Sequence, residues 1–390
     1  MENYSFILNI FEIRLVFLFL TSFLITYFAI PAIIRVAKMK NLFDEPEDRS
    51  SHSFRVPTLG GVSIFAAFII TISLYAKESY VDFALLNASM VILFFFGIKD
   101  DILVISPIKK LFAQIVSALM ISIGSNVRIP QMFDILGFSE IPYWLSIVIT
   151  VFVIILIINA YNLINGVDGL AASSAIFASV VFGLWFYSNG YLSMTLVSFT
   201  LVGSLLAFLR FNFSKKNKIF MGDTGSMIVG FIVAIQAVEF INFNSGVLKN
   251  GGEGWITAPV LAISVLILPL LDTLRVFLIR ILNKKSPFSA DRNHIHHRLE
   301  DLGLPHFVIS LVMILANLII VLLAFHMKDT GTDKFLLLML SVASLISSIP
   351  YFIKTKKERL ELSEVATPIF KISRKENCLD KKSERKEVNG

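Results

Sequence analysis

The chain has 390 residues, of which 55% are hydrophobic and 16% charged, and it carries 36 phenylalanines and a formal net charge of +6. This composition excludes an ordinary soluble domain and predicts an integral membrane protein. The single cysteine excludes an internal disulfide and a thiolate metal cluster.

Apolar stretches recur along the chain as far as residue 353. About 20 apolar residues cross the hydrocarbon core as a helix, because every backbone polar group must be satisfied inside the segment. Eleven stretches qualify, and the fourth is the weakest because Gly124, Ser125 and Asn126 interrupt its end. We therefore predict an all-α polytopic membrane protein with about 11 transmembrane helices. The stretches are Leu15–Ile34, Gly60–Ala76, Phe83–Ile98, Leu111–Val127, Ile141–Ile158, Leu170–Tyr187, Tyr191–Leu209, Met227–Ile241, Trp255–Leu271, Phe307–Met327 and Phe335–Ile353.

Lysine and arginine are distributed unequally between the two sets of loops. If the stretches alternate across the membrane, one set of loops holds most of the 35 basic residues. Positively charged loops stay in the cytoplasm, so we predict an external N-terminus and a cytoplasmic C-terminus. The net charge follows from this topology and does not indicate a nucleic-acid partner. The cytoplasmic segments are 35–59, 99–110, 159–169, 210–226, 272–306 and 354–390.

The chain divides into one membrane domain and a tail. Residues 1–353 contain all the apolar stretches, with no linker long enough to separate two domains. Residues 354–390 mix charges of both signs without apolar periodicity, as in KTKKERLE. This pattern predicts a disordered cytoplasmic tail.

Two adjacent carboxylates follow the third stretch, in FFFGIKDDILVISPIKK. Asp100 and Asp101 lie at the predicted membrane surface, with Lys99, Lys109 and Lys110 nearby. An acidic pair can simply end a helix. It also suits a divalent cation or a general base, because close like charges raise one pKa or recruit a metal. The pair alone leaves both interpretations open.

The fifth stretch runs into IINAYNLINGVDGLA. Asn159, Asn162, Asn165 and Asp168 recur every three residues, which places them on one side of a helix or turn. Helix capping or contacts between helices would explain one or two of these groups. Four of them at the end of an apolar helix indicate a binding site, because unsatisfied polar groups are costly there.

A glycine-rich run, NKIFMGDTGSM, precedes the eighth stretch. Backbone amides and hydroxyls at a helix N-terminus predict a phosphate site. Asp223 would repel phosphate unless a cation lies between them, which favours a Mg²⁺ ion bridging protein and phosphate. The alternative is a helix N-cap made by Asp223 and Thr224.

Together these loops resemble the polyprenyl-phosphate N-acetylhexosamine-1-phosphate transferases of the bacterial cell envelope, glycosyltransferase family 4. That family also includes the phospho-N-acetylmuramoyl-pentapeptide transferase. The resemblance runs from DEPEDRSSHSFRVPTLGG through the motifs above to LLDTLRVFLIR and SPFSADRNHIHHRLEDLGL. It implies transfer of N-acetylhexosamine-1-phosphate from a UDP-sugar to undecaprenyl phosphate, with release of UMP, at the cytoplasmic face of the bacterial inner (plasma) membrane. The oligomeric state stays open, a homodimer being one option.

The resemblance also implies roles for the reacting groups. The family's Mg²⁺ ligands correspond to Asn162 and Asp223, and its phosphate-binding lysine to Lys110. Its acidic pair corresponds to Asp100 and Asp101, where one carboxylate would deprotonate or orient the attacking lipid phosphate. A covalent phosphosugar intermediate on an aspartate is the alternative. Direct attack is favoured, because a phosphate is already a nucleophile.

Contacts to the nucleotide follow from the same resemblance. Asp168 corresponds to a position near the uracil, and Phe220 to an aromatic ring that stacks on that base. Asn165 corresponds to a further nucleotide contact, at which several relatives carry aspartate. An early loop, residues 44–55, also matches and is expected to support the site.

Three histidines cluster in DRNHIHHRLEDLG. His294 and His297 could share a helical face, and His294 and His296 could share one side of an extended segment. A zinc site needs three or four converging ligands. The many basic residues nearby favour instead binding of the sugar-linked pyrophosphate. The predicted substrate contacts in this loop are Arg292, His294, His296, His297 and Arg298.

The order of these histidines bears on the sugar. Within the family that the chain resembles, H-I-H-H followed by arginine is typical of enzymes that use UDP-N-acetylglucosamine or a related sugar. The muramoyl-pentapeptide enzymes of that family carry three consecutive histidines instead. N-acetylglucosamine is therefore expected, and the pentapeptide reaction is the alternative. A lipid-phosphate or sugar transporter is the alternative outside the enzymes. It is disfavoured because few ionisable residues lie within the apolar stretches.

Overall fold

The computed structural model describes residues 2–42, 56–75, 80–135, 137–284 and 294–353. Within these ranges the chain forms thirteen helices and one antiparallel hairpin, in which β1 (Gln131–Ile135) pairs with β2 (Phe138–Glu140). The helices are α1 (Glu2–Lys40), α2 (Gly60–Tyr75), α3 (Tyr80–Leu103), α4 (Pro107–Gly124), α5 (Tyr143–Ile164), α6 (Leu170–Ser188), α7 (Leu192–Asn212), α8 (Gly222–Lys249), α9 (Ala258–Val265), α10 (Ile267–Leu282), α11 (Ile295–Asp301), α12 (His306–His326) and α13 (Thr332–Phe352).

The apolar helices agree with the predicted stretches. Among the described residues, nine helices are long and apolar enough to cross a membrane, and α9 and α10 meet the same test when taken together. The shorter apolar helix α2 has 16 residues. The prediction of a helical, polytopic membrane protein is confirmed. The number of helices that cross the bilayer and the orientation of the termini stay predictions.

The ninth predicted stretch, Trp255–Leu271, is not one straight helix. α9 and α10 meet at Leu266 with a bend of 80°. Pro269 has no N–H to bond the Val265 carbonyl, and its ring would collide with that carbonyl in a continuous helix. Asn317 of α12 donates Nδ2 to this carbonyl at 2.7 Å. The break is therefore stable in an apolar environment, because the freed backbone group has a partner.

Two of the segments between the apolar helices contain regular structure of their own. The segment after α4 contains the β-hairpin. The predicted inner segment 272–306 contains more than half of α10 and the short helix α11, which carries His296 and His297 of the histidine motif. The early loop 44–55 and the tail 354–390 lie outside the described residues.

Helix α8 is the centre of the bundle. It packs against α2, α3, α5, α6 and α7, and 89% of its most apolar segment is buried, against 17% for α13. Close packing with α5 depends on Gly230, where a Cβ would lie 2.9 Å from Ile158 Cα. Because α8 begins with the GDTGS motif, this packing fixes the motif beside the ends of α3 and α5.

Candidate active site

The ends of four helices meet around Asp223, in the first turn of α8. Lys110, from the first turn of α4, donates to Asp223 Oδ2 at 2.5 Å and also forms an ion pair with Asp100 at the end of α3. Asn162, near the end of α5, donates Nδ2 to Asp223 Oδ1 at 3.0 Å. The structure thus brings four predicted site residues together from four separate parts of the sequence.

This cluster is open on one side. The side chains of Lys110 and Asp223 are 26% and 27% exposed, whereas that of Asp100 is 6% exposed. Asp100 is further held by the Ile105 N–H, which donates to Oδ1 at 2.7 Å. Lys110 can neutralise only one of the two carboxylates it contacts. The cluster therefore keeps negative charge that an anionic substrate would meet.

Asp101 has a different set of partners from its neighbour Asp100. Its Oδ1 accepts the Asp223 N–H at 2.6 Å, and its Oδ2 accepts both the N–H and the hydroxyl of Thr224, at 3.1 and 2.5 Å. Asp101 therefore caps the N-terminus of α8 from another helix. The predicted phosphate site at these two amides is wrong, because a carboxylate of the protein already occupies them.

Gly222 makes this arrangement sterically possible. Its φ of 70° lies in the left-handed region, and a Cβ would lie 2.1 Å from Thr58 O. The segment before it is pinned by backbone bonds: Phe220 N–H donates to Pro57 O at 2.8 Å, and Gly60 N–H donates to Phe220 O at 2.9 Å. The loop before α2 thus fixes the entry of the chain into α8.

The polar residues at the end of α5 have different contacts. Asn159 donates to Gln114 Oε1 of α4 at 2.9 Å, so it joins two helices. Asn162 contacts Asp223 and Ser226 of α8. Asn165 donates to the Gly222 carbonyl at 3.2 Å. The helix-contact explanation therefore holds for Asn159, while Asn162 and Asn165 lie at the site.

Asp168 lies in a second polar cluster beside the first. Its Oδ2 accepts Lys218 Nζ at 2.6 Å and lies 2.8 Å from His306 Nδ1. Lys218 also lies over the half-buried ring of Phe220, 5.2 Å from the ring centroid. The two predicted nucleotide contacts, Asp168 and Phe220, are therefore linked through a lysine that the motifs did not indicate.

The histidine motif packs beside the turn after α5. His294 has extended backbone and precedes α11, so its ring stacks on that of His296, with centroids 5.3 Å apart and planes 9° apart. A Cβ on Gly166 would lie 4.0 Å from His296 Nε2. Burial, reinforced by the neighbouring His297, lowers the pKa of His296 to about 3. This imidazole is therefore neutral near pH 7.

A chain of imidazoles and carboxylates joins the histidine motif to Asp168. His297 Nδ1 lies 2.9 Å from Glu300 Oε2, and Glu300 Oε1 lies 3.1 Å from His306 Nε2. His306 in turn contacts Asp168. The two predicted substrate-binding regions, far apart in sequence, are thus physically connected by residues that the motifs alone did not single out.

The two predicted arginine contacts have different outcomes. Arg298 donates Nη2 to the Ile353 carbonyl at 2.9 Å and lies over the ring of Tyr351, 5.9 Å from its centroid. Its observed partners are at the end of α13, and its contact with substrate stays a prediction. Arg292 lies outside the described residues.

An apolar cavity of about 240 Å³ lies between α5, α8, α9, α10 and α13. Aliphatic side chains line it, including Ile157 of α5, Ile241 of α8 and Leu270 of α10. The bend between α9 and α10 places both helices along its wall. A hydrocarbon chain is the kind of ligand that such a lining accepts.

Sequence comparison adds evidence independent of this geometry. The family model described as glycosyl transferase family 4 matches residues 83–241. The "Probable undecaprenyl-phosphate N-acetylglucosaminyl 1-phosphate transferase" of Bacillus subtilis (strain 168) is 30% identical over 325 residues, which is 81% of this chain and 86% of the relative. The chain belongs to glycosyl transferase family 4.

Other relatives of this family 4 chain carry similar names. An "Undecaprenyl-phosphate alpha-N-acetylglucosaminyl 1-phosphate transferase" of Escherichia coli O157:H7 is 30% identical over 301 residues, 74% of this chain and 75% of the relative. One of Yersinia pestis is 28% identical over 303 residues, 74% and 77% of the two chains. The family predicted from the loops is confirmed, and the segment matching the family model holds Asp100, Lys110, Asn162 and Asp223.

Proposed function

We propose that this family 4 chain transfers N-acetylglucosamine-1-phosphate from UDP-N-acetylglucosamine to undecaprenyl phosphate, releases UMP, and so starts synthesis of a cell-envelope polysaccharide. The observation that carries the proposal is the meeting of Asp100, Lys110, Asn162 and Asp223 at one end of an apolar helix bundle. The names of the relatives from B. subtilis and E. coli support both the sugar and the lipid acceptor.

Mg²⁺ is the proposed cofactor, with Asp223 and Asn162 as the residues that would hold it. Carboxylate and amide oxygens are ligands that Mg²⁺ accepts. The residues present fit a cation, because the carboxylates of Asp100 and Asp223 already hold the positive charge of Lys110 between them. When bound, the ion would neutralise phosphate oxygens and reduce the repulsion between two anionic substrates.

The chemical step is the attack of a lipid phosphate oxygen on the phosphorus attached to the sugar. The bond from that phosphorus to the oxygen of UMP breaks, so one pyrophosphate bond replaces another. A phosphate monoester has lost most of its second proton at pH 7, since that pKa is about 6. A strong base is therefore unnecessary, and alignment with charge neutralisation supplies most of the catalysis.

The partners of the two aspartates suggest how they divide this work. Both carboxylate oxygens of Asp101 accept hydrogen bonds from the N-terminus of α8, which holds Asp223 in place. Asp100 contacts Lys110, which is partly exposed. We infer that Asp100 orients the lipid phosphate or takes its remaining proton, and that Lys110 contacts the phosphate oxygens.

The remaining parts of the substrates are assigned from the family resemblance and from the lining of the apolar cavity. The uracil would lie at Asp168 and Phe220, near Asn165, and the sugar-linked phosphates would face the histidine motif. The isoprenoid chain would enter the apolar cavity, whose lining is aliphatic. The location proposed is the bacterial inner membrane with the site on the cytoplasmic face, since the basic loops are predicted to lie on that side.

Exchange of radiolabelled UMP into UDP-sugar tests this proposal. Purified protein with undecaprenyl phosphate and Mg²⁺ should exchange label into UDP-N-acetylglucosamine, and chelation should stop the exchange. Asp223→Asn should abolish exchange while the protein still inserts. Asp329→Asn, at an exposed aspartate after α12, is the matched control and should retain it. Exchange only with the muramoyl-pentapeptide nucleotide would favour that alternative, and substrate transport without exchange would contradict an enzyme.

A further inference from the structure

Asp272 of α10 makes the most deeply buried polar contact of the histidine motif. Its Oδ2 lies 2.8 Å from His294 Nδ1, and the two side chains are only 2% and 4% exposed. Its Oδ1 accepts the Ile295 N–H at 3.0 Å. The motif thus rests on a carboxylate 22 residues earlier in the chain, at the end of the apolar segment that follows the α9–α10 break.

We propose that Asp272 is a positioning residue for phosphate binding by His294, an inference that rests on the proposed function. A carboxylate beside Nδ1 keeps the proton on that nitrogen, because it can only accept. The ring nitrogens point in different directions, so Nε2 faces away from Asp272. A phosphate oxygen at Nε2 also needs an N–H donor, so phosphate binding uses the doubly protonated ring. Asp272 therefore fixes the orientation of the His294 ring and balances the positive charge with which it meets the sugar-linked phosphates.

The surroundings of His294 support this assignment. His296 stacks on it and lies beside Gly166, in the turn that follows Asn162. This places the pair of rings next to the polar residues that end α5. Because His296 is buried and neutral, His294 is the one of the stacked pair that a carboxylate directly supports.

A metal site is the competing explanation. Among the described residues, Asp272, His294 and His296 are a group whose ligand atoms all lie within 4.8 Å of one another. Both oxygens of Asp272 are already used, however: Oδ2 by His294, and Oδ1 by the Ile295 amide and by Arg275 Nη2 at 3.3 Å. The positive charge of Arg275 also disfavours a second cation there. The geometry favours a hydrogen-bonded pair.

Asp272→Asn changes the hydrogen bond of this side chain to His294 and keeps its hydrogen bond to the Ile295 N–H. The amide oxygen must stay on the side of the Ile295 N–H and Arg275, because an amide nitrogen there would face two donors. The Asn Nδ2 then donates to His294 Nδ1, which leaves the ring neutral with its only proton on Nε2. The side-chain volume and the contact with the α11 backbone are kept, while the positive charge of the His294 ring is lost.

We expect Asp272→Asn to lower turnover only through its effect on His294. Asp272→Asn should lower the kcat of UMP exchange by about 10- to 100-fold, with a smaller change in KM for UDP-N-acetylglucosamine and a thermal midpoint close to that of the wild type. In a His294→Ala background the same substitution should cause no further loss. Thr273→Val is the control on the same helix, because its buried hydroxyl bonds the Pro269 carbonyl within α10.

Three results would overturn the proposal. Wild-type kcat in Asp272→Asn, or losses that multiply in the double variant, would show that Asp272 does not act through His294. One zinc per wild-type chain by elemental analysis, lost in Asp272→Asn, would assign the metal site.

NMR of labelled histidine, with the His294 signal assigned by His294→Ala, decides the proton position without any activity. Nδ1 should be protonated in the wild type and unprotonated in Asp272→Asn. An unchanged His294 signal refutes the inference, whereas absence of exchange in the wild type refutes only the proposed function.

Discussion

Asp100 and Asp101 are neighbours in sequence, but their contacts predict that substitution of each by asparagine will have a different effect. Asp101 accepts three hydrogen bonds from the first turn of α8. Asparagine offers one acceptor oxygen and one donor group, so at least one N–H or O–H of that turn loses its partner. At Asp100 the amide oxygen can still accept from Ile105, and Lys110 keeps Asp223 as a partner.

The two magnitudes follow from these contacts. Asp101→Asn loses one or two hydrogen bonds to a charged acceptor and the charge at a helix N-terminus, which together amount to about 2–4 kcal/mol of unfolding free energy. Asp100→Asn loses one hydrogen-bonded ion pair but leaves no charge unpaired, because Lys110 keeps Asp223 as its partner, so it should cost about 1 kcal/mol. Exchange should fall by about 100-fold or more in Asp100→Asn, because an orienting group or base is removed.

Thermal unfolding in detergent and UMP exchange together measure this difference. Asp101→Asn should lose both stability and exchange, since Asp223 is no longer held, whereas Asp100→Asn should lose exchange at nearly full stability. Asp329→Asn again serves as the control. If Asp101→Asn is as stable as the wild type, Asp101 does not cap α8 in the working protein. If Asp100→Asn exchanges UMP normally, the assignment of the two aspartates is reversed.

Three further predictions concern the framework. Gly222→Ala should abolish exchange and lower the thermal midpoint, because the new Cβ would lie 2.1 Å from Thr58 O; a fully active variant would contradict the strained turn. Asn317→Leu should cost about 1–3 kcal/mol, because it leaves the Val265 carbonyl unpaired, and Ser341→Ala on α13, whose hydroxyl bonds its own helix, should cost less in the same melting assay. A reporter fused after residue 390 should be active only in the cytoplasm, and external activity would contradict the predicted topology.

Hydropathy was sufficient to locate the apolar helices, because the requirement for about 20 apolar residues is set by the bilayer. It could not reveal the bend at Leu266, since the residues next to the break are apolar on both sides. Pro269 was the available signal, because proline removes one backbone donor. The partner that stabilises the break, Asn317, lies too far along the chain to be identified from local sequence.

The site residues likewise include some that local sequence predicts and others that depend on contacts between distant parts of the chain. The polar motifs predicted which loops would meet, and the structure brings Asp100, Lys110, Asn162 and Asp223 together. The motifs did not predict that Asp101 would occupy the amides of α8, since a helix cap is normally sought within a few residues. Lys218 and Asp272 were missed because one charged side chain in a loop or at a helix end has many explanations.

The cap that Asp101 provides joins residues 122 positions apart, and this separation has a consequence for biosynthesis. When α3 and α4 leave the ribosome, the first turn of α8, which they contact in the folded protein, has not yet been translated. If the chain were cut at the exposed residues 215–217, the first fragment would carry Asp100 and Asn162, and the second Asp223 and the histidine motif. Neither fragment would contain a complete site, so each fragment alone should be inactive. UMP exchange by a mixture of the two fragments would then show that both halves have assembled.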